Sequence, residues 1–178
     1  MTKSEARKSA IEFRKSLSNV ELREKSAKIV DKLLSLNEVK NSRELCVYLA
    51  LPYEVDLTEF IECLYSSGKS ICAPKTVGSD MVAIRFSGFD KCKSGNFNVL
   101  EPIGDVVDKS AIDVVVVPLV AYNESKSRVG YGKGYYDRFL EDDMIKIGVA
   151  FEGQKRDFEP DSFDKTLDMI VTENRIIR

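Results

Sequence analysis

One stretch limits the folds open to this chain more than any other. It runs from Ile112 to Val117, carries four successive valines and stops at Pro118. Branched aliphatic side chains restrict χ1 and suit a pleated strand better than a helix. The four valines are apolar at consecutive positions and leave no polar face, so the strand they form must be covered on both sides. Glu44 to Leu51, Ser70 to Ala73, Met81 to Phe86, Ile145 to Phe151 and Met169 to Val171 read as further strands. Helical patterns lie between them. Thr2 with Glu5, and Ser18 with Glu21, have capping-box spacing, and Leu22, Ile29, Leu33 and Leu36 recur at roughly helical intervals. Asp56 with Glu59 opens a short helix that ends by Gly68, and another runs from Tyr135 to about Glu141. Strands alternating with helices predict an α/β protein: a three-layer α/β/α sandwich with a mostly parallel central sheet, Rossmann-like in plan. At 178 residues, one domain spanning 1–178 is expected. In such sheets ligands bind beyond the carboxyl ends of the strands, which directs attention to the segments after Leu51, Val117 and Phe151.

The chain contains no histidine. That excludes Ser-His and Cys-His nucleophiles and any histidine-ligated metal. Acid–base work falls to carboxylates, lysine, tyrosine or the substrate, and a metal would be a hard ion held by oxygens, which points to magnesium. The 27 basic residues nearly balance the 29 acidic ones, which argues against a nucleic-acid or membrane-surface partner. No apolar run reaches membrane-spanning length, and the first 20 residues are charged throughout, so neither a membrane span nor an export signal is expected. Cys46, Cys63, Cys72 and Cys92 form no CxxC pair and read as reduced thiols, which suits the cytoplasm.

After the valine strand, Arg128-Val-Gly-Tyr-Gly-Lys-Gly-Tyr-Tyr-Asp137 sets three glycines alternately with Tyr131 and Lys133, directly before a helix. Glycines let the backbone turn tightly and approach an anion, and unpaired N–H groups at a helix start point toward it. Arg128 and Lys133 can add charge to a phosphate, and Asp137 could hold a magnesium ion. The spacing is neither that of the P-loop nor that of the dinucleotide fingerprint. On the glycines alone, a plain structural turn competes equally.

This segment resembles the signature of the 5-formyltetrahydrofolate cyclo-ligases. The similarity extends to Lys3-Ser-Glu-Ala-Arg7 followed by Arg14, to Tyr48 through Asp56, to Gly68 through Pro74, to Glu101-Pro102 and to Asp164 through Glu173, in order along the chain. The resemblance implies an ATP- and magnesium-dependent ligase that converts 5-formyltetrahydrofolate to 5,10-methenyltetrahydrofolate with release of ADP and phosphate. It also implies a mechanism. The formyl oxygen is phosphorylated by ATP, and N10 then attacks the formyl carbon as phosphate leaves.

Carried over by position, the resemblance assigns ATP contacts to Lys3, Arg7, Arg128, Val129, Gly130, Tyr131, Gly132, Lys133, Gly134, Tyr135 and Tyr136. It assigns folate contacts to Leu49, Glu54, Tyr131, Gly132, Lys133, Gly134 and Tyr135, and magnesium ligands to Asp137 and Asp164. Lys133, with Arg128, is the expected catalytic cation. A monomer taking 5-formyltetrahydrofolate and ATP is expected. Two positions depart from the pattern: Phe163 stands where many relatives have histidine, and Tyr131 where some have arginine. Sugar-phosphate isomerases and acyl-CoA transferases share this fold type and could use a similar anion loop, and a non-catalytic folate or nucleotide binder is the other alternative.

Overall fold

A computed structural model describes residues 1–178. Two long helices open the chain, α1 (Lys3–Ser16) and α2 (Asn19–Ser35), each with a complete capping box in which Thr2–Glu5 and Ser18–Glu21 satisfy each other's backbone. A short α3 (Asn37–Asn41) leads into β1 (Leu45–Val47), followed by α4 (Thr58–Ser66). Then come β2 (Ile71–Val77), β3 (Asp80–Arg85), the small hairpin β4 (Cys92–Ser94) and β5 (Leu100–Pro102), and β6 (Val106–Val107). The valine run is β7 (Val114–Pro118). A second hairpin, β8 (Ala121–Tyr122) and β9 (Arg128–Val129), precedes α5 (Tyr135–Phe139), β10 (Ile145–Val149), β11 (Met169–Val171) and β12 (Ile176–Ile177).

The main sheet has eight strands in the order β12-β11-β10-β7-β1-β2-β3-β6. The strands from β11 through β2 run parallel, and β12, β3 and β6 are antiparallel additions at the two edges. β7 occupies the centre. Its valines alternate between faces: Val114 and Val116 join a core with Ile29 and Leu33 of α2 and Phe60 and Ile61 of α4, whereas Val115 and Val117 join one with Tyr122, Phe139 and Leu140. The sandwich is therefore unequal. Long helices cover one face, while the single short α5 and the β8–β9 hairpin cover much of the other. α1 stands beside this second layer, packing Ala6 and Ala10 against Val120, Ala121 and Val129.

Several element ends differ from the sequence expectation. The valine strand starts at Val114, because the Asp113 carboxylate turns back to accept from the N–H groups of Arg43 (2.8 Å) and Glu44 (3.0 Å). β2 runs through Pro74 to Val77 instead of ending before the proline. Its pairing with β1 stops at Cys46↔Cys72, so β2 is an edge on that side by Pro74, and a missing N–H is tolerated there. The fourth helix starts at Thr58 and has no capping box; Asp56 Oδ1 instead accepts from the backbone N–H and the hydroxyl of Thr58. The β4–β5 hairpin lies in a stretch where the sequence pattern gave no strand. No helix is long and apolar enough to cross a membrane.

Candidate active site

A cleft of about 670 Å³ opens beyond the carboxyl ends of β1 and β7, where the strand topology places ligand sites in open α/β sheets. Every site residue expected from the sequence lines it: Lys3 and Arg7 from α1, Leu49 and Glu54 from the segment after β1, the whole of Arg128 to Asp137, and Asp164. The remainder of the wall comes from residues with no expected role, among them Tyr48, Pro74, Met81, Asn96, Phe97, Glu101, Asp161 and Phe163.

The glycine segment is shaped by its neighbours. β9 pairs with β8, which holds Arg128 buried, and Val129 packs on α1. That packing lets Arg7 Nε donate to the Gly130 carbonyl at 2.7 Å, so the helix and the loop form one wall. Gly132 and Gly134 have φ of +89° and +70°, where a side chain would be strained, and a Cβ at Gly134 would also lie 2.6 Å from the Arg138 guanidinium. The helix that follows has only five residues. The loop's own backbone and its cations, more than a long helix dipole, are thus available to an anion. Lys133 is exposed, with its ammonium 5.8 Å from the Phe97 ring centroid and no carboxylate bonded to it.

Charges in the cleft are paired in a pattern. Arg128 donates to Asp137, and Lys3 donates to Asp161 at 2.8 Å and to Asp164. Burial pulls the Arg128 guanidinium below its ordinary pKa, against the opposing charges of Asp137 and Asp164. Burial would also lower the Lys3 ammonium, but the hydrogen bonds to Asp161 and Asp164 outweigh it and the net shift is upward. Asp137 and Asp164 thus bring carboxylate oxygens to one cleft from distant parts of the chain. No group of three or more His, Cys, Asp or Glu side chains comes together to form a complete metal cage. Two carboxylates nevertheless fit magnesium, which commonly takes one or two protein oxygens and completes its shell with phosphates and water.

The other end of the cleft is organised around Glu54, only 8% exposed. Its Oε2 accepts from the Leu51 N–H at 2.8 Å, and its Oε1 accepts from the Tyr131 hydroxyl at 3.1 Å. Tyr131 in turn accepts from Arg14 at 2.7 Å. Burial raises the Glu54 carboxyl above its ordinary range, opposed by the Leu51 N–H, the Arg14 charge and the Tyr131 hydroxyl. Burial likewise raises the phenols of Tyr131 and Tyr136.

Sequence reasoning gave no role to Arg14 or Asp161. Arg14 looks like one more charge on an amphipathic helix, and only packing shows it 3% exposed with Nε and one terminal nitrogen unpaired. The signal for Asp161 was its place three residues before Asp164, whose carboxylate accepts from the Asp161 N–H at 2.8 Å. Tyr131 meets an arginine, Arg14, from the opening helix.

The model of the 5-formyltetrahydrofolate cyclo-ligase family matches residues 1–173. The 5-formyltetrahydrofolate cyclo-ligase of Mycoplasma pneumoniae is 30% identical, with 97% of this chain and 99% of the relative covered. Among solved structures, the 5,10-methenyltetrahydrofolate synthetase of Aquifex aeolicus superposes with a TM-score of 0.88 at 36% identity, over 100% of this chain and 93% of that one. The synthetase from Mycoplasma pneumoniae gives 0.81 at 28% identity, over 97% and 99%.

Proposed function

We propose, for a chain that belongs to the 5-formyltetrahydrofolate cyclo-ligase family, that the cleft binds 5-formyltetrahydrofolate beside ATP and closes the folate ring at the cost of the terminal phosphate. The single observation that carries this reading is the joining of two chemistries in one cavity. A buried carboxylate, Glu54, stands at one end, and a glycine loop flanked by Arg7, Arg128 and Lys133 stands at the other. A pterin edge presents adjacent N–H donors, which two carboxylate oxygens can accept together. A triphosphate needs close backbone approach and positive charge, which the loop and its cations supply.

The reaction asks the protein for position and charge more than for a strong base. Glu54 and the backbone near Leu49 hold the pterin so that the formyl oxygen faces the terminal phosphate. Lys133, the unpaired cation on the loop, stabilises charge on the phosphoryl group as it transfers to that oxygen. Arg128 and Arg7 keep the loop and the phosphates in register, each from a buried or backbone-anchored seat. Asp137 and Asp164 would hold magnesium, which when bound neutralises phosphate charge. With its oxygen phosphorylated, the formyl carbon is then open to N10, and phosphate departs as the ring closes. A chain without histidine can perform all of this.

The direct test is to mix purified protein with 5-formyltetrahydrofolate, ATP and magnesium, and to follow the absorbance of the methenyl product. Product formation that requires all three supports the reading. An unchanged spectrum with a folded protein overturns it.

A further inference from the structure

Ring closure leaves one proton to be placed. N10 enters as a secondary amine and leaves bonded to carbon without its hydrogen, so a group near it must accept that proton. Five carboxylates line the cleft: Glu54, Glu101, Asp137, Asp161 and Asp164. Four are occupied. Glu54 takes the Leu51 N–H and the Tyr131 hydroxyl, Asp137 pairs with Arg128, and Asp161 and Asp164 pair with Lys3. Glu101 is the exception. It is 4% exposed, yet its carboxylate receives no hydrogen bond and joins no ion pair within the chain.

Its oxygens are not among the unpaired atoms cut off from solvent, so the carboxylate is open to the cleft and free to meet a ligand. The local build keeps Glu101 in this state. It sits on β5 and lays its carboxyl group against Gly95, where a Cβ would lie 2.0 Å from the carboxyl carbon as the side chain now stands. The turn between β4 and β5 also carries Phe97, whose ring faces the Lys133 ammonium. Glu101 therefore lies on the hairpin that borders the place where the phosphoryl group is handled.

We propose that Glu101 is the catalytic base of ring closure, accepting the N10 proton. This rests on the folate and ATP reading of the cleft. N10 donates its lone pair to the formyl carbon, whose oxygen carries the phosphoryl group, forming the C–N bond. Its proton passes to a Glu101 oxygen, giving the neutral acid. The C–O bond to phosphate breaks and its electron pair leaves with phosphate. The product carries one positive charge shared between N5 and N10. Glu101 returns its proton to water as the product departs.

Single-turnover experiments separate the two halves of the reaction. With Glu101→Gln, ADP formation should stay within about twofold of wild type, while methenyl formation falls about 100-fold or more, in the range of a lost general base. The phosphorylated folate would instead be hydrolysed, returning 5-formyltetrahydrofolate and phosphate. Should the glutamine variant fail to fold by circular dichroism, Glu101→Asp, which withdraws the carboxylate by one methylene, must show the same split in milder form. Ring closure by Glu101→Gln at the wild-type rate would overturn the proposal, as would a parallel loss of ADP and methenyl product by a folded variant. Wild-type protein that makes neither ADP nor methenyl product would instead overturn the reading of the cleft beneath it, and Glu101's role with it.

Discussion

Replacing Glu54 by glutamine separates recognition from stability. The substitution keeps the side chain's shape and one oxygen, so the Leu51 N–H at 2.8 Å can still be met. The new amide nitrogen would face the Tyr131 hydroxyl, which can reverse its role. What is lost is the charge and the second acceptor for the pterin. A hydrogen bond to a charged group contributes about 1.5–3 kcal/mol. At 1.4 kcal/mol per power of ten, the KM for 5-formyltetrahydrofolate should rise about 10- to 150-fold. The KM for ATP should change little, because the nucleotide loop is untouched.

Stability should move the other way. Burial raises the Glu54 pKa, so the folded state binds its proton more tightly than the unfolded one. The stability linked to that proton is present at low pH and is lost as pH rises through the folded value. Glutamine has no such loss, and the variant should therefore melt at the wild-type temperature or above at pH 7–8. Steady-state kinetics varying each substrate, with calorimetry across pH, makes the check. Equal rises in both KM values would refute the assignment of Glu54 to the folate, and a lower melting temperature at pH 8 than at pH 5, relative to wild type, would refute the electrostatic argument.

Lys133→Ala should fold normally, since the ammonium is exposed and touches only the Phe97 ring, but kcat should fall about 100- to 1000-fold, as when one preorganised charge is removed from a transition state; near-wild-type turnover would remove Lys133 from the chemistry. Asp137→Asn should raise the magnesium concentration needed for half-maximal activity, and a titration midpoint equal to wild type would take Asp137 out of the metal site. Gly153→Ala tests how α1 is seated: its Cβ would lie 2.2 Å from the Phe13 ring, so overpacking should cost about 1–3 kcal/mol. The melting temperature should drop by about 2–12 °C. Because α1 carries Lys3 and Arg7, the KM for ATP should rise with it, and an unchanged KM would mean that the nucleotide does not depend on that helix.

The long-range plan was legible because it rests on local physics. Four consecutive valines can be covered only from both sides, and β7 sits mid-sheet with alternate valines in opposite cores. Both capping boxes close as their spacing predicts. Short-range ends were less legible. Asp113 and Pro74 shift strand limits because their neighbours in space, the Arg43–Glu44 backbone and the end of β1, decide what a polar group or a missing N–H costs. The small hairpins β4–β5 and β8–β9 carry too few residues to leave a periodic pattern.

The residue types of the site, and the exclusion of histidine chemistry, follow from the chain read in order, because composition and spacing are properties of the sequence alone. Which charges are spoken for is a different kind of fact. Lys3 meets Asp164 across nearly the whole chain, Arg14 reaches Glu54 through Tyr131, and Glu101 is left without a partner. Ion pairing and burial depend on distance in space, and only the folded sheet brings these groups to one cleft and decides which of them remains free to act.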